Sequence, residues 1–255
     1  MRLAHSLLVA ASVVCVASFA EPTIDLHLIG DSTMADKANP EINPEFGWGQ
    51  VLPRFFDQHV VVHNHAVNGR STKSFIDEGK WAAVLKELKT GDYLFVEFGH
   101  NDEKVEDSTR YAAANTDYKR NLERFVNEAR AKGATPVLFT PIVRRKFNAR
   151  GALQETHGLY VDAARVAARE TGASLIDLNA LTAKLVGNAG PVESKQLYVY
   201  VDSGTNTMYP TGRQDDTHLS VRGATAVAKL VVEALVNTRS PLARYARIGA
   251  PAPVR

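Results

Sequence analysis

The 255 residues carry 30 basic and 28 acidic side chains, a formal net charge of +2. That balance gives no reason to propose nucleic acid or an anionic membrane as a partner of the whole surface. The single cysteine, Cys15, lies near the N-terminus, so the chain beyond it has no disulfide, no thiolate nucleophile and no sulfur-ligated metal.

Residues 1–20, "MRLAHSLLVAASVVCVASFA", combine a basic start at Arg2 with an apolar stretch too short to span a bilayer comfortably. Ser18 and Ala20 give a small-x-small cleavage pattern ahead of Glu21. The expectation is a secretory signal peptide, hence a secreted or periplasmic protein with no membrane association after cleavage. The remaining length buries a sufficient core without disulfides and suits one large α/β domain as well as two small ones.

"TIDLHLI" at 23–29 reads as a buried strand that stops at Gly30, Asp31, Ser32 and Thr33. "GWGQVLPRFFDQ" follows, with Pro53 placed to begin or kink a helix. A second strand is expected at 60–67. A helix then shows apolar spacing at Trp81, Val84, Leu85 and Leu88 and stops at Gly91. The third strand, 92–98, precedes a helix repeating Leu122, Phe125, Val126 and Ala129 and ending at Gly133. The fourth strand, 135–140, and the fifth, 173–178, flank a helix marked by Val161, Ala164 and Val166. "SVRGATAVAKLVVEALVNT" supplies the last helix. Residues 143–158 and 190–218 lack periodicity and are read as substrate-contacting loops, and the Pro/Ala-rich 241–255 as a flexible tail. No repeat or linker divides residues 21–240, which are read as one catalytic domain.

Strand alternating with helix implies right-handed crossovers and a parallel sheet covered on both faces. The expected fold is a three-layer α/β/α, flavodoxin-like arrangement of five strands with its site at their C-terminal ends. Four short stretches fall there or just before the last helix: "GDST", "NHAVNGRST", "EFGHND" and "DDTHLS". Each is a weak signal alone.

A serine hydroxyl needs a neighbouring base to become a nucleophile. Ser32 is the candidate nucleophile and His218 the base. Asp215, three residues before His218, is placed to bond the far imidazole nitrogen, fixing its tautomer and stabilising the imidazolium. Asp216 is adjacent, but its spacing points its side chain elsewhere. Attack on an acyl carbonyl creates an oxyanion that needs donors already in place. The candidates are the Ser32 N–H, the Gly69 N–H and the Asn101 side-chain amide, with Gly99 allowing the sharp turn that aims Asn101.

His63 and His65 alternate along a strand and so share a face. No third ligand is evident in the sequence, so no metal site is assigned and the pair is read as packed or partly exposed. His100 and Asp102 flank Asn101. Asp102 is expected to bond within its loop, and His100 is a candidate substrate contact.

The four stretches together resemble the SGNH, or GDSL, hydrolase superfamily over residues 24 to about 235. The resemblance places that family's roles on Ser32, Gly69, Asn101 and His218, with Asp215 as the acid. Within the superfamily, "GDSTMA", "AVNGRSTKSF", "EFGHNDEK" and "DDTHLS" look most like the rhamnogalacturonan acetylesterases, pectin-deacetylating carbohydrate esterases. This implies a metal- and cofactor-independent serine esterase, monomeric, acting on an acetylated polysaccharide or oligosaccharide. Arg70, Arg144 and Arg145 are then either a solvated basic cluster or contacts to galacturonate carboxylates, for which arginine's planar fork is suited. Other readings on the same fold are a lipase, a thioesterase, a xylan acetylesterase or an inactive carbohydrate-binding protein.

Overall fold

The first strand, β1 (Ile24–Gly30), shows how the chain is organised. Leu26 and Leu28 are wholly buried in one apolar cluster, while Ile29, on the opposite face, is wholly buried in another. A strand covered on both faces belongs in the middle of a parallel sheet. The computed structural model, which describes residues 23–249, places it there. The signal-peptide reading of residues 1–20 lies outside the described residues.

β1 pairs in parallel with β2 (Val60–Asn64) on one side and β3 (Tyr93–Glu97) on the other, followed by β4 (Thr135–Phe139) and β5 (Ser174–Ile176). The order β2-β1-β3-β4-β5 is the doubly wound topology expected from the alternating pattern. The chain leaves β1 toward one edge and leaves β3 toward the other, which opens a crevice above the β1–β3 pair. Gly30 is level with Glu97 across that pair, so the turns carrying Ser32 and Asn101 begin side by side.

Helices cover both faces. One layer holds α1 (Trp48–Val51), α6 (Leu178–Glu193) and α7 (Val221–Asn237), whose Trp48, Val51, Val186, Val227 and Val231 pack against Leu26, Leu28 and Phe139. The other holds α2 (Thr72–Asp77), α3 (Lys80–Glu87), α4 (Lys119–Ala131) and α5 (Leu159–Thr171). In α4 the expected stripe Leu122, Phe125, Val126 and Ala129 is the buried face. The facing helix α5 buries four alanines, Ala163, Ala164, Ala167 and Ala168, and such small side chains permit close packing. Among the described residues, no helix is long and apolar enough to cross a membrane.

Five expectations are corrected. The second strand ends at Asn64 rather than 67, and the fifth spans only Ser174–Ile176, because Asp177 turns the chain and caps α6 by accepting the Ala180 N–H. Residues 178–190 carry no clear helical stripe, yet α6 fills them and kinks at Gly190, where φ is 70° ahead of Pro191. Residues 190–218 are not an irregular loop. They contain β6 (Tyr198–Val201) and β7 (Arg213–Leu219), an antiparallel pair separate from the main sheet. Residues 241–249 do not form a loose tail: Pro241–Tyr245 is a 3-10 helix burying Leu242 and Tyr245, and the Arg247 N–H donates to the Phe55 carbonyl.

Candidate active site

The turn after β1 is held from below. Asp31 is buried, its backbone carbonyl accepts the N–H groups of Met34 and Ala35, and its Oδ1 accepts both the N–H and the hydroxyl of Thr33. Ser32 sits on this closed turn with only 8% of its surface exposed. Its hydroxyl lies 2.9 Å from His218 Nε2. On the far side of the ring, His218 Nδ1 is 2.8 Å from Asp215 Oδ2.

Because an ionised carboxylate can only accept, Nδ1 must carry the proton. Nε2 is then a bare lone pair facing the Ser32 hydroxyl, the tautomer a general base requires. Burial pushes the Asp215 carboxyl upward, but bonds from the His218 ring, the His218 N–H and Arg213 outweigh it and hold the group well below the usual carboxylate range. Asp215 Oδ1 also accepts the Thr217 N–H at 2.8 Å.

The choice of Asp215 over Asp216 has a backbone cause. Pairing between β6 and β7 jumps from Val199↔Asp215 to Tyr198↔Leu219, so residues 216–218 bulge out without a partner on β6. The bulge lets the Asp215 carboxylate and the His218 ring meet, whereas Asp216 points to Arg145 and Tyr200.

Gly69, with φ at 75°, lies in the turn after β2. Among the described residues, neither its N–H nor that of Ser32 has a protein acceptor. Asn101 donates one amide N–H to the Arg70 carbonyl at 3.1 Å, and its oxygen faces Arg110 Nη1 at 3.4 Å. This pins the amide's orientation and leaves its second N–H for a ligand. Gly99 makes the expected turn with φ at 148°, and a side chain there would press on the Pro141 ring.

A polarisable serine hydroxyl, a correctly protonated imidazole and three N–H donors on neighbouring turns form the equipment for acyl transfer. Residues 28–226 match the GDSL-like lipase/acylhydrolase family. The chain belongs to this family.

This hydrolase is 41% identical over 219 residues to the rhamnogalacturonan acetylesterase RhgT of Bacillus subtilis (strain 168), covering 86% of this chain and 92% of that protein. Among solved structures, the Bacillus subtilis protein YXIM superposes with a TM-score of 0.72 at 28% identity; the match covers 86% of this chain but only 58% of that one. The acetylxylan esterase Axe2 of Geobacillus stearothermophilus superposes with a TM-score of 0.59 at 15% identity, covering 83% of this chain and 94% of that chain, a likeness of fold. The chain is a carboxylic ester hydrolase of the GDSL type.

Several residues that position the hydrolase's site carry no signal in the sequence. Lys37 is buried and donates to the Ser32 carbonyl at 2.5 Å and to Asn68 Oδ1 at 2.6 Å, while pairing with Glu45 at 2.8 Å. It ties the serine turn to the residue beside Gly69. Glu45 also lies 4.0 Å from His218 Nε2. Beneath the turn, Thr33 Oγ1 bridges Asp31 and Glu97, and Glu97 accepts from Trp48 Nε1 at 2.7 Å and the Ile142 N–H at 3.0 Å. Burial, reinforced by the Asp31 carboxylate, pushes Glu97 up to about 8. Asp102 does not bond within its own loop: its side chain accepts the N–H and hydroxyl of Thr72 at the start of α2, and burial pushes it too to about 8.

The candidate substrate contacts fare differently. Arg70 stays at the rim beside Gly69, half exposed and paired with Glu78 at 3.0 Å. His100 is buried, stacks edge-on against His157 at 4.4 Å, and neither of its ring nitrogens has a protein partner among the described residues. Arg144 is engaged by Glu103 and by the His100 carbonyl. Arg145 is corrected on both readings, being neither solvated nor available. It is 8% exposed and donates to Asp216 at 2.8 Å, Tyr200 at 2.9 Å, Ser194 at 3.0 Å and the Pro191 carbonyl. Finally, His27 of β1 and Glu87 of α3 stand beside His65, a juxtaposition that spacing along strand two alone does not reveal.

Proposed function

We infer that this hydrolase is a carbohydrate acetylesterase that removes O-acetyl groups from a pectic polysaccharide, rhamnogalacturonan, through an acyl-enzyme on Ser32. The observation that carries the chemistry is the continuous relay from Ser32 Oγ to His218 (2.9 Å) to Asp215 (2.8 Å). The substrate class is supported by the 41% identity to RhgT, a protein named as a rhamnogalacturonan acetylesterase.

In the first half-reaction, Ser32 Oγ attacks the acetyl carbonyl carbon as its proton passes to His218 Nε2. Asp215 stabilises the imidazolium. The oxyanion that forms is met by the Ser32 N–H, the Gly69 N–H and the free Asn101 amide N–H, already oriented before charge develops. As the tetrahedral species collapses, His218 returns the proton to the departing sugar oxygen and the acetyl group stays on Ser32. In the second half, His218 takes a proton from water while the water oxygen attacks the acetyl-serine, and collapse releases acetate and restores the hydroxyl. The chain acts as an exported monomer after loss of residues 1–20.

Acetate release from acetylated rhamnogalacturonan, acetylated xylan and p-nitrophenyl acetate, compared between wild type and Ser32→Ala, tests this reading. Strong Ser32-dependent release from the pectic substrate is expected. Ser32-dependent activity on the small ester alone would keep the mechanism and discard the pectic assignment. Full activity in Ser32→Ala would discard the mechanism itself.

A further inference from the structure

We propose that His27, His65 and Glu87 form a binding site for a divalent first-row transition metal, with Zn²⁺ the best fit, separate from the esterase centre. The parallel register sets His27 opposite His63 on one face of the β1–β2 pair, and His65 follows two residues later on that same face. The last residue of α3 is Glu87, which reaches the pair from above.

His27 Nδ1 lies 3.0 Å from His65 Nε2, and His65 Nε2 lies 3.6 Å from Glu87 Oε2. All three donor atoms fall within 4.8 Å of one another. Tetrahedral zinc with bonds of about 2.0–2.1 Å holds neighbouring ligand atoms roughly 3.3 Å apart, so the two short separations bracket the required value. Two imidazoles and a carboxylate are a zinc-type donor set.

The surroundings are those of a built site. The far nitrogen of His27 faces Asp92 Oδ2 at 3.5 Å, and the Lys89 N–H holds that oxygen at 2.7 Å. A carboxylate behind an imidazole is the arrangement that orients a metal-binding histidine and raises its donor strength. His63 is committed elsewhere, bonded to Asp25 at 2.7 Å, and stacks on His27 at 4.8 Å as a wall. Lys86 and Lys89 line the same cleft and are matched there by Asp25 and Glu87, with Asp92 buried behind His27. The hydrogen shared by His27 Nδ1 and His65 Nε2 is displaced when a cation binds. Glu87 is more than half exposed, so the fourth position is open to water.

His27 precedes Ser32 by five residues, or roughly 15 Å along an extended strand, too far for the metal to touch the reacting atoms. Its role is to clamp β1, β2 and α3 together.

The test uses the mature protein, purified without a polyhistidine tag and stripped with EDTA. It is titrated with Zn²⁺ by calorimetry and with Co²⁺ by visible absorption. One equivalent per chain is expected, with a tetrahedral cobalt spectrum and a rise in Tm of about 5–10 °C at saturating Zn²⁺. Glu87→Gln and His65→Gln should each weaken binding at least tenfold and abolish the Tm rise, while Glu87→Gln retains wild-type activity on p-nitrophenyl acetate. Glu87 is exposed, so its variant tests the site without disturbing the fold. Absence of stoichiometric binding by the wild type, or undiminished binding by both variants, would overturn the proposal.

Discussion

The Lys37 ammonium donates to the Ser32 carbonyl at 2.5 Å, five residues back along the chain. The same nitrogen reaches Asn68 and Glu45, so its three protons are all used. Replacing it with an isosteric apolar side chain, Lys37→Met, leaves Glu45 without its buried partner. A loss of about 1–3 kcal/mol of stability is expected, since Glu45 is only partly buried and water replaces some of the lost contact. Because the serine turn and the Gly69 turn lose their common tether, kcat should fall with little change in KM. Denaturant melts and steady-state kinetics on p-nitrophenyl acetate check both.

Asp215→Asn should cost roughly 10⁴ in kcat, since a carboxamide no longer enforces the Nδ1–H tautomer. Its KM should stay near wild type. A loss of less than tenfold would remove Asp215 from its assigned role.

Asn101→Ala should lower kcat by roughly 10²–10³ if the free amide N–H meets the oxyanion. Circular dichroism should show an unchanged fold, since the lost partners are the Arg70 carbonyl and Arg110.

The buried carboxyls give stability a pH dependence of defined sign. Asp102 is raised from 3.8 to about 8 in the folded state, so between those values the folded protein holds a proton that the unfolded chain has released. Stability from this group is therefore full below about pH 4 and declines as pH rises toward 8. Asp102→Asn keeps an oxygen for the Thr72 donors and puts its NH₂ where Oδ2 has no partner. Thermal melts of this variant should decline less between pH 5 and 8 than those of wild type. An identical slope would show that Asp102 does not titrate there.

Arg145 holds β7 by way of Asp216, so its effect should reach every substrate alike. Arg145→Ala should destabilise by about 3 kcal/mol, the scale of charged hydrogen bonds lost from a buried guanidinium. It should also reduce kcat/KM by the same factor on acetylated pectin and on p-nitrophenyl acetate. A rise in KM confined to the pectic substrate would instead restore Arg145 as a uronate contact.

The sequence alone determined the features that repeat locally. The stripe Leu122, Phe125, Val126 and Ala129 announces α4, and short apolar runs bounded by turn residues announce the five strands, since these follow from the periods of helix and strand. Right-handed crossovers then put the turns after three of the strands at one end of the sheet, so Ser32, Gly69 and Asn101 could be grouped before any coordinates. The β6–β7 pair was not legible, because Arg213–Leu219 is a mostly polar, half-buried strand with no alternation to read. Helix α6 was equally hidden, its weak stripe interrupted by Gly187 and Gly190.

Only the tertiary structure decided which partner each charged side chain takes. Arg145 and Asp216 are 71 residues apart, and nothing local tells a buried guanidinium from a solvated one. The bulge at 216–218 and the register of His27 with His63 are likewise properties of strand pairing, which depends on contacts distant in the chain. Periodicity is written residue by residue, but hydrogen-bond partners and ligand sets exist only once separate elements have met.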